Sequence, residues 1–322
     1  WRIPHIALAD WADVILVAPC TAESRSNMAR GAGKELLCSI LLAAGAPVVV
    51  FPAMNVNMLN HPATARNMEI LKETGIFIAD PETGSLACGY EGKGRLPAVE
   101  VILEEMWKAL CPSKKLEGKN VLVTAGPRWE FLDRLRFLSN PSSGKMGYAM
   151  ARAAWYRGAS VTFVHGPASF SNLSGFGVKP VVSAEEMKRT VLALSEEKHY
   201  IVKAAAVGDF RAASFSDRKI KRANADTVTI DLVQNTDIAA SLGERKLPGQ
   251  VLVGFAAESH DLLVNASEKM KRKNLDFIVA NDITAADSGF GTDTNTVKLL
   301  SRSGTAEEFS GTKEDVAERV WS

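Results

Sequence analysis

The chain has 322 residues, 46% of them apolar, and its 38 basic and 37 acidic side chains leave a formal net charge of +1. That length sets an expectation of about two compact units, and the balanced charge excludes a chain built to lie on nucleic acid or on an anionic membrane, so any phosphate must be held by local charge. The four cysteines, Cys20, Cys38, Cys88 and Cys111, are scattered without a C-x-x-C pair, which predicts reduced thiols and a cytoplasmic location rather than a secreted disulfide scaffold.

The chain opens at Trp1, inside what reads as a helix leading to a strand at 14–18, and this start predicts a preceding N-terminal segment. The longest apolar stretch, 39–54, is broken by Gly45 and Pro47 and falls short of the roughly 20 unbroken residues of a membrane helix, so no membrane span is expected. Short continuous apolar runs follow at 47–51, 120–125, 160–164, 200–204, 251–255 and 277–280, with helical patterns between them. Buried parallel strands read this way, and the alternation predicts two doubly wound, mainly parallel α/β domains of Rossmann type, with ligands at the carboxyl ends of the strands. A Pro, a Ser and a charge cluster at 111–119 mark the linker, dividing the chain into domains at 1–113 and 117–322; the Ser- and Gly-rich 170–177 reads as a surface loop.

In the first half, His5 opens HIALADWAD, and PAMN (Pro52, Ala53, Met54, Asn55) ends a predicted strand and is followed by Met58. Cys88 lies in ACGYEGKGR among Gly84, Gly89, Gly92 and Gly94. A lone His is commonly a helix-end residue and a lone Cys an inert buried thiol. Here the strand-end position suits Asn55 for binding a carboxylate or amide, the glycines let a loop swing the thiol over a pocket, and Lys93 and Arg95 can hold an anion or lower the thiol pKa.

HIALADWAD, APCTAES at 18–24, PAMN with Met58, HPAT at 61–64 and ACGYEGKGR resemble, in order and spacing, the flavin-containing cysteine decarboxylases, and most of all the phosphopantothenoylcysteine decarboxylases. The resemblance implies a flavodoxin-like flavoprotein domain lacking its N-terminal part, in which FMN oxidises a cysteinyl thiol so that its carboxylate is lost. It implies His5 and Cys88 as catalytic residues, Asn55, Met58, Gly89 and Arg95 as substrate contacts, and Thr21, Pro52 and Ala53 as FMN contacts. Cys20 and Glu23 depart from the family's usual residues. The family's first strand and flavin-phosphate loop have no counterpart here, so the chain as given is expected to bind flavin poorly.

In the second half, Ser142, Ser143, Gly144 and Lys145 precede a predicted helix whose free N–H groups suit an anion, although the Walker spacing fails and a solvated cap is the alternative. KAAAVGDF at 203–210 puts Asp209 just past a strand, where it can hold a ribose hydroxyl or a metal; KIKR at 219–222 reads equally as a solvated charge run. Lys269 and Lys273 share one helical face. With NTDI at 235–238 and VGFAAES at 253–259, these segments resemble the CTP-using bacterial phosphopantothenate–cysteine ligases, found fused to the decarboxylase in bifunctional coenzyme A biosynthesis proteins.

That resemblance implies ligation of 4'-phosphopantothenate to cysteine through an acyl-cytidylate, with CTP as co-substrate and Mg²⁺ as cofactor, the metal ligands remaining unknown. It implies Lys219 and Asn140 as catalytic residues. It implies CTP contacts at Lys203, Ala204, Ala205, Asp209, Lys219, Thr236, Asp237, Ile238, Ala239, Phe255, Lys269 and Lys273. It also implies decarboxylase trimers and ligase dimers, with small molecules as the partners. GPRWEFLDRLR at 126–136 departs from the family's usual loop at Arg128, Trp129, Phe131 and Arg134, as do Gly208 and Thr236. An NAD(P)-dependent oxidoreductase is the competing class, but no strand is followed by G-x-G-x-x-G; a non-catalytic regulatory subunit is the other, and both His5 and Cys88 are present against it.

Overall fold

Continuous apolar runs become parallel strands because a strand covered by helices on both faces has no solvent side to mark with polar residues. The computed structural model describes residues 3–85, 89–220, 229–258, 262–282 and 291–322, and it divides into two units, Trp1–Ser113 and Lys114–Ser322.

The first unit runs α1 (Pro4–Trp11), β1 (Ile15–Cys20), α2 (Ala22–Ala29), α3 (Leu36–Ala43), β2 (Val48–Pro52), α4 (Val56–Asn60), α5 (Pro62–Glu73), β3 (Phe77–Ile78), β4 (Glu82–Ser85), β5 (Glu91–Arg95) and α6 (Val99–Leu110). β1, β2 and β3 form a parallel sheet in that order, with Val48, Val49, Val50 and Phe51 buried at its centre. The glycine-rich segment expected as a loop is an antiparallel hairpin: β4 pairs with β5, Gly84 facing Gly92. Its glycines and short polar side chains lack the alternation that marks a strand, which is why the sequence reads as a loop. Cys88, the expected thiol, lies outside the described residues.

The second unit runs β6 (Asn120–Ala125), β7 (Glu130–Phe131), β8 (Phe137–Leu138), α7 (Lys145–Tyr156), β9 (Ser160–His165), β10 (Phe176–Pro180), α8 (Ala184–Leu194), β11 (Tyr200–Lys203), β12 (Phe210–Ala212), β13 (Leu232–Gln234), α9 (Ile238–Arg245), β14 (Val251–Glu258), α10 (Leu262–Arg272), β15 (Phe277–Asp282), β16 (Thr294–Ser301), β17 (Ala306–Thr312) and α11 (Lys313–Val320). Its main sheet has the order β10-β9-β6-β11-β14-β15-β16-β17. Pairing is parallel from β10 to β15, and β16 and β17 extend it antiparallel. Counted by first appearance, the parallel strands stand 3-2-1-4-5-6, the Rossmann order, whose chain direction reverses between β6 and β11.

β6 illustrates how the layers hold. Val121, Val123 and Ala125 face the layer built by α7 and α11, Leu122 faces the layer of α8, α9 and α10, and all four are at 0% exposure. Full burial of a valine or leucine side chain is worth about 1.5–3 kcal/mol, so a polar residue at any central position would open the sheet.

Two expectations are refined: the division between Ser113 and Lys114 falls inside the expected linker, and the loop and the linker are each shorter than expected. The segment 170–177 is a surface loop only as far as Gly175, with Ser171 and Ser174 exposed, and it is anchored: Phe170 packs against Phe163 and His165 at ring-centroid distances of 5.2 and 5.1 Å, and Phe176 begins the edge strand β10. Gly175, at φ +82°, lies under Trp155, where a Cβ would come within 2.5 Å of the ring. Buried aromatic anchors override the polar composition around them. Likewise the expected linker is already structured at Leu116, which is buried in the second unit and donates its N–H to the Arg157 carbonyl at 3.1 Å.

Candidate functional site

At the reversal point the ends of β6 and β11 are tied together. Ala205 N–H donates to Thr124 Oγ1 at 3.2 Å, and Ala206 N–H donates to the Gly126 carbonyl at 3.2 Å. Beyond these bonds opens a cavity of about 500 Å³.

One wall is the start of α7. Gly144 precedes it at φ +76°, and Gly147 sits so close to β6 that a Cβ would lie 2.7 Å from Ala125 Cβ. Only glycine permits both the left-handed turn and this approach. The first turn of α7, whose Lys145 N–H donates to Ser143 Oγ at 3.5 Å and whose next N–H groups have no partner within the helix, therefore reaches the cavity together with Ser142, Ser143, Gly144 and Lys145.

The opposite wall follows β11, β13 and β14. Lys203, Ala204, Ala205 and Asp209, then Thr236, Asp237, Ile238 and Ala239, then Phe255, Lys269 and Lys273 all line the cavity, as does Asn140. Asp237 caps α9 by accepting the Ala240 N–H at 3.1 Å, which fixes its second oxygen to accept from Lys273 at 2.7 Å. Asn140 donates from Nδ2 to the Ala206 carbonyl at 3.2 Å, while its Oδ1 is buried with no partner among the described residues. Leaving such an acceptor unpaired costs about 1–3 kcal/mol, so a ligand that donates there gains affinity.

Charge in the cavity is strongly biased. Burial first, and then the charges of Lys273 and Lys269, pull the Lys203 ammonium down to about 8, with Asp237 opposing. For Asp237, burial pushes the carboxyl up, but the Lys273 and Ala240 donors carry it net below its usual range. A further group stands at the α7 end: Lys145 Nζ meets Asp293 Oδ1 at 2.5 Å, and Lys313, buried at the first position of α11, donates to the Thr292 carbonyl.

The structure thus gathers Asn140 and all the expected second-half residues but one. Lys219 is exposed and does not line the cavity; it stands beside Ile220, whose N–H donates to buried Asp133 at 3.0 Å. Sequence reasoning missed Asn281, Asn295 and Lys313, which come from β15, β16 and α11 at the far end of the chain. The one available signal was T-x-x-D at 312–315, a capping box that Thr312 and Asp315 complete and that sets Lys313 at a helix start.

In the first unit, the strand ends carry the expected polar groups. Thr21 caps α2 by accepting the Ser24 N–H at 3.2 Å, and Asn55 caps α4 by accepting the Asn57 N–H at 2.8 Å. Ala53 N–H donates to the Cys20 carbonyl at 3.3 Å, closing Pro52 and Ala53 against β1, and Met54 N–H donates to Gly94 at 3.0 Å, drawing the β4–β5 hairpin to the same edge. Met58, Gly89 and Arg95 are exposed, Gly89 at φ +80°, and His5 is half-buried in the first turn of α1. Among the described residues no helix is long and apolar enough to cross a membrane, and none of the His, Cys, Asp and Glu side chains form a cluster of three or more suited to a metal.

Strand order and cleft together define a two-unit α/β protein whose second unit is of Rossmann type, with its ligand cleft at the sheet's reversal point. Residues 1–110 match the family model described as Flavoprotein, and residues 116–322 match the DNA/pantothenate metabolism flavoprotein C-terminal domain. The Coenzyme A biosynthesis bifunctional protein CoaBC of Bacillus subtilis (strain 168) is 45% identical over 310 residues, covering 95% of this chain and 76% of that protein. A cysteine/cysteine sulfinic acid decarboxylase from an unknown prokaryotic organism is 44% identical over 319 residues, covering 97% of this chain and 89% of that protein. The crystal structure of a CoaBC C-terminal domain superposes with a TM-score of 0.56 at 35% identity, covering 65% of this chain and 95% of that one. The chain belongs to the family of bifunctional coenzyme A biosynthesis proteins.

Proposed function

We propose that the second unit binds CTP in the reversal-point cleft and joins 4'-phosphopantothenate to cysteine, and that the first unit, with FMN, decarboxylates the product to 4'-phosphopantetheine. The observation that carries this reading is a single cavity lined by Lys145, Lys203, Lys269, Lys273 and Lys313, beside a helix N-terminus and an unpaired acceptor on Asn140.

In the first step the substrate carboxylate attacks the α-phosphorus, the bond to the β-phosphate oxygen breaks, and pyrophosphate leaves with the electron pair. Negative charge grows on phosphoryl oxygens, where fixed ammonium groups and the N–H groups of α7 are preorganised to receive it. Lys219, exposed and outside the cavity lining, would add its charge as the resemblance implies. Asp209, the carboxylate at the end of β11, would help hold Mg²⁺ with the phosphates and water, since that ion is bound largely through its substrate's oxygens. In the second step the cysteine amine attacks the acyl carbon, the acyl–phosphate C–O bond breaks, CMP leaves with the electron pair, and the nitrogen releases a proton to water to give the amide. Asn140 Oδ1 accepts an N–H of the attacking amine and orients its lone pair.

In the first unit, the Thr21 hydroxyl and the backbone carbonyls of Pro52 and Ala53 stand at adjacent strand ends, polar groups that suit the edge of a flavin. FMN, when bound there, supplies the two-electron oxidation and reduction that the decarboxylation requires. Asn55, Met58, Gly89 and Arg95 would grip the substrate, His5 would act as the catalytic histidine of the flavin site, and Cys88 would donate the final proton. Decarboxylase trimers and ligase dimers, in the cytoplasm, complete the reading. The 44% identity to a cysteine/cysteine sulfinic acid decarboxylase favours a second substrate reading for this unit, in which the free amino acid enters.

The test supplies the protein with 4'-phosphopantothenate, cysteine and each nucleoside triphosphate in turn. CTP should give pyrophosphate in equal amount to the amide product; no pyrophosphate with CTP overturns the ligase reading. Carbon dioxide from phosphopantothenoylcysteine but not from free cysteine separates the two decarboxylase readings.

A further inference from the structure

Apart from Lys203 on β11, the lysines of the cleft come from the two opposite layers of the sheet. Lys269 and Lys273 belong to the α9–α10 layer and have Asp237 as counter-ion, whereas Lys145 and Lys313 are the first residues of α7 and α11, in the other layer. In the second group, among the described residues, two ammonium groups share one carboxylate. Lys145 is paired with Asp293 at 2.5 Å, Lys313 feels both of them, and the nearby Glu314 is engaged at 3.6 Å by Arg152. Among the described residues, Lys145, Lys313 and Arg152 thus outnumber Asp293 and Glu314 at this end of the cavity.

Lys313 is unusual among the lining lysines in being only 5% exposed, its ammonium held by the Thr292 carbonyl and Oγ1. Burying an ammonium is costly unless it meets an anion. Its surroundings provide part of one, and the remainder of its charge faces a cavity that already receives the N–H groups of α7.

We infer that Lys313, acting with Lys145, is a binding residue for the β- and γ-phosphates, and so for the departing pyrophosphate, while the lysines of the opposite layer hold the cytidine monophosphate portion. This rests on the ligase reading above. The assignment gives the leaving group its own charged seat: as the α-phosphorus–oxygen bond breaks, the electron pair develops on an oxygen held by Lys145 and Lys313. Asp293 is the counter-ion that the phosphates displace.

The test measures, by calorimetry, the binding of inorganic pyrophosphate and of CMP separately to the wild-type protein and to Lys313→Met, Lys313→Arg and Lys145→Met. Lys313→Met should weaken pyrophosphate at least about tenfold, the worth of one charge-assisted hydrogen bond, and leave CMP unchanged, with Lys313→Arg recovering most of the loss. Lys145→Met, which alters a half-exposed side chain, should show the same selectivity even if Lys313→Met folds poorly. Equal pyrophosphate affinity in both methionine variants, or equal loss of pyrophosphate and CMP in both, overturns the inference. Failure of the wild-type protein to bind CTP or CMP would instead sink the ligase reading; pyrophosphate binding would still report on Lys313.

Discussion

Asp237 and Lys273 form an ion pair of 2.7 Å that joins the N-cap of α9 to the residue just past the end of α10. Asp237 thereby holds a helix start and a cavity lysine with one side chain. Because asparagine caps a helix about as well as aspartate, the two roles separate: Asp237→Ala should lose roughly 1 kcal/mol of stability to cap removal that Asp237→Asn retains. Thermal unfolding of both variants checks this, and equal destabilisation would remove capping from the account.

Lys203 makes nucleotide binding sensitive to pH. Its folded value of about 8 lies below the roughly 10.4 of an unfolded lysine, so its charged form is disfavoured by the fold. The stability cost is fully present below pH about 8 and is relieved as pH rises from there toward about 10.4, because the unfolded chain binds the extra proton. A bound polyphosphate reverses the preference and draws a proton onto Lys203. CTP affinity should therefore fall above pH 8, by up to about tenfold per pH unit, with net proton uptake on binding at pH 8.5. Calorimetry in buffers of different ionisation enthalpy measures that uptake, which Lys203→Met should abolish.

Gly147 sets the distance between α7 and β6. A methyl group there would sit 2.7 Å from Ala125 Cβ and 2.9 Å from the Thr124 carbonyl, both on a buried strand that cannot yield cheaply. Gly147→Ala should cost about 1–3 kcal/mol and shift the first turn of α7 away from the cavity, weakening CTP more than stability alone explains. Denaturant titration together with CTP titration of the folded variant separates the two effects.

Asp133 anchors the segment that carries Lys219. The N–H groups of Ile220 and Leu135, followed by the N–H and the charge of Arg136, hold its carboxyl at about 2. Since this lies below the unfolded value of about 3.9, its contribution to stability is present above pH about 3.9 and is lost as pH falls toward 2. Asp133→Asn removes an acceptor from this set. It should lower turnover in the ligase reaction, by loosening Lys219, while leaving CMP binding intact; unchanged turnover would detach Lys219 from the chemistry.

Much of this architecture was legible before the structure because the parallel strands β6, β9, β11, β14 and β15 are runs of apolar residues flanked by turns, a pattern set by two-sided burial. The strands that escaped notice lie where that rule does not apply. β16 and β17 form the antiparallel edge of the sheet and are rich in polar residues, and β4 and β5 are a hairpin whose glycines pair without side chains. The same logic governs the site. Ser142, Ser143, Gly144 and Lys145 announce an anion loop because local sequence builds it, whereas Lys313 and Asn295 reach the cavity only through the return of the last strands and helix onto the sheet. Lys219 joined Lys269 and Lys273 only through the resemblance, since KIKR reads equally as a solvated charge run, and its place depends on the contact of Ile220 with Asp133, far earlier in the chain.

The crystal structure of the protein with bound CTP is the most direct measurement. The account predicts cytidine against Phe255 and Lys273, with the phosphates passing Asp209 and running to Ser143, Lys145 and Lys313 at the start of α7. Nucleotide density elsewhere on the molecule, or an empty cleft at saturating CTP, would contradict it.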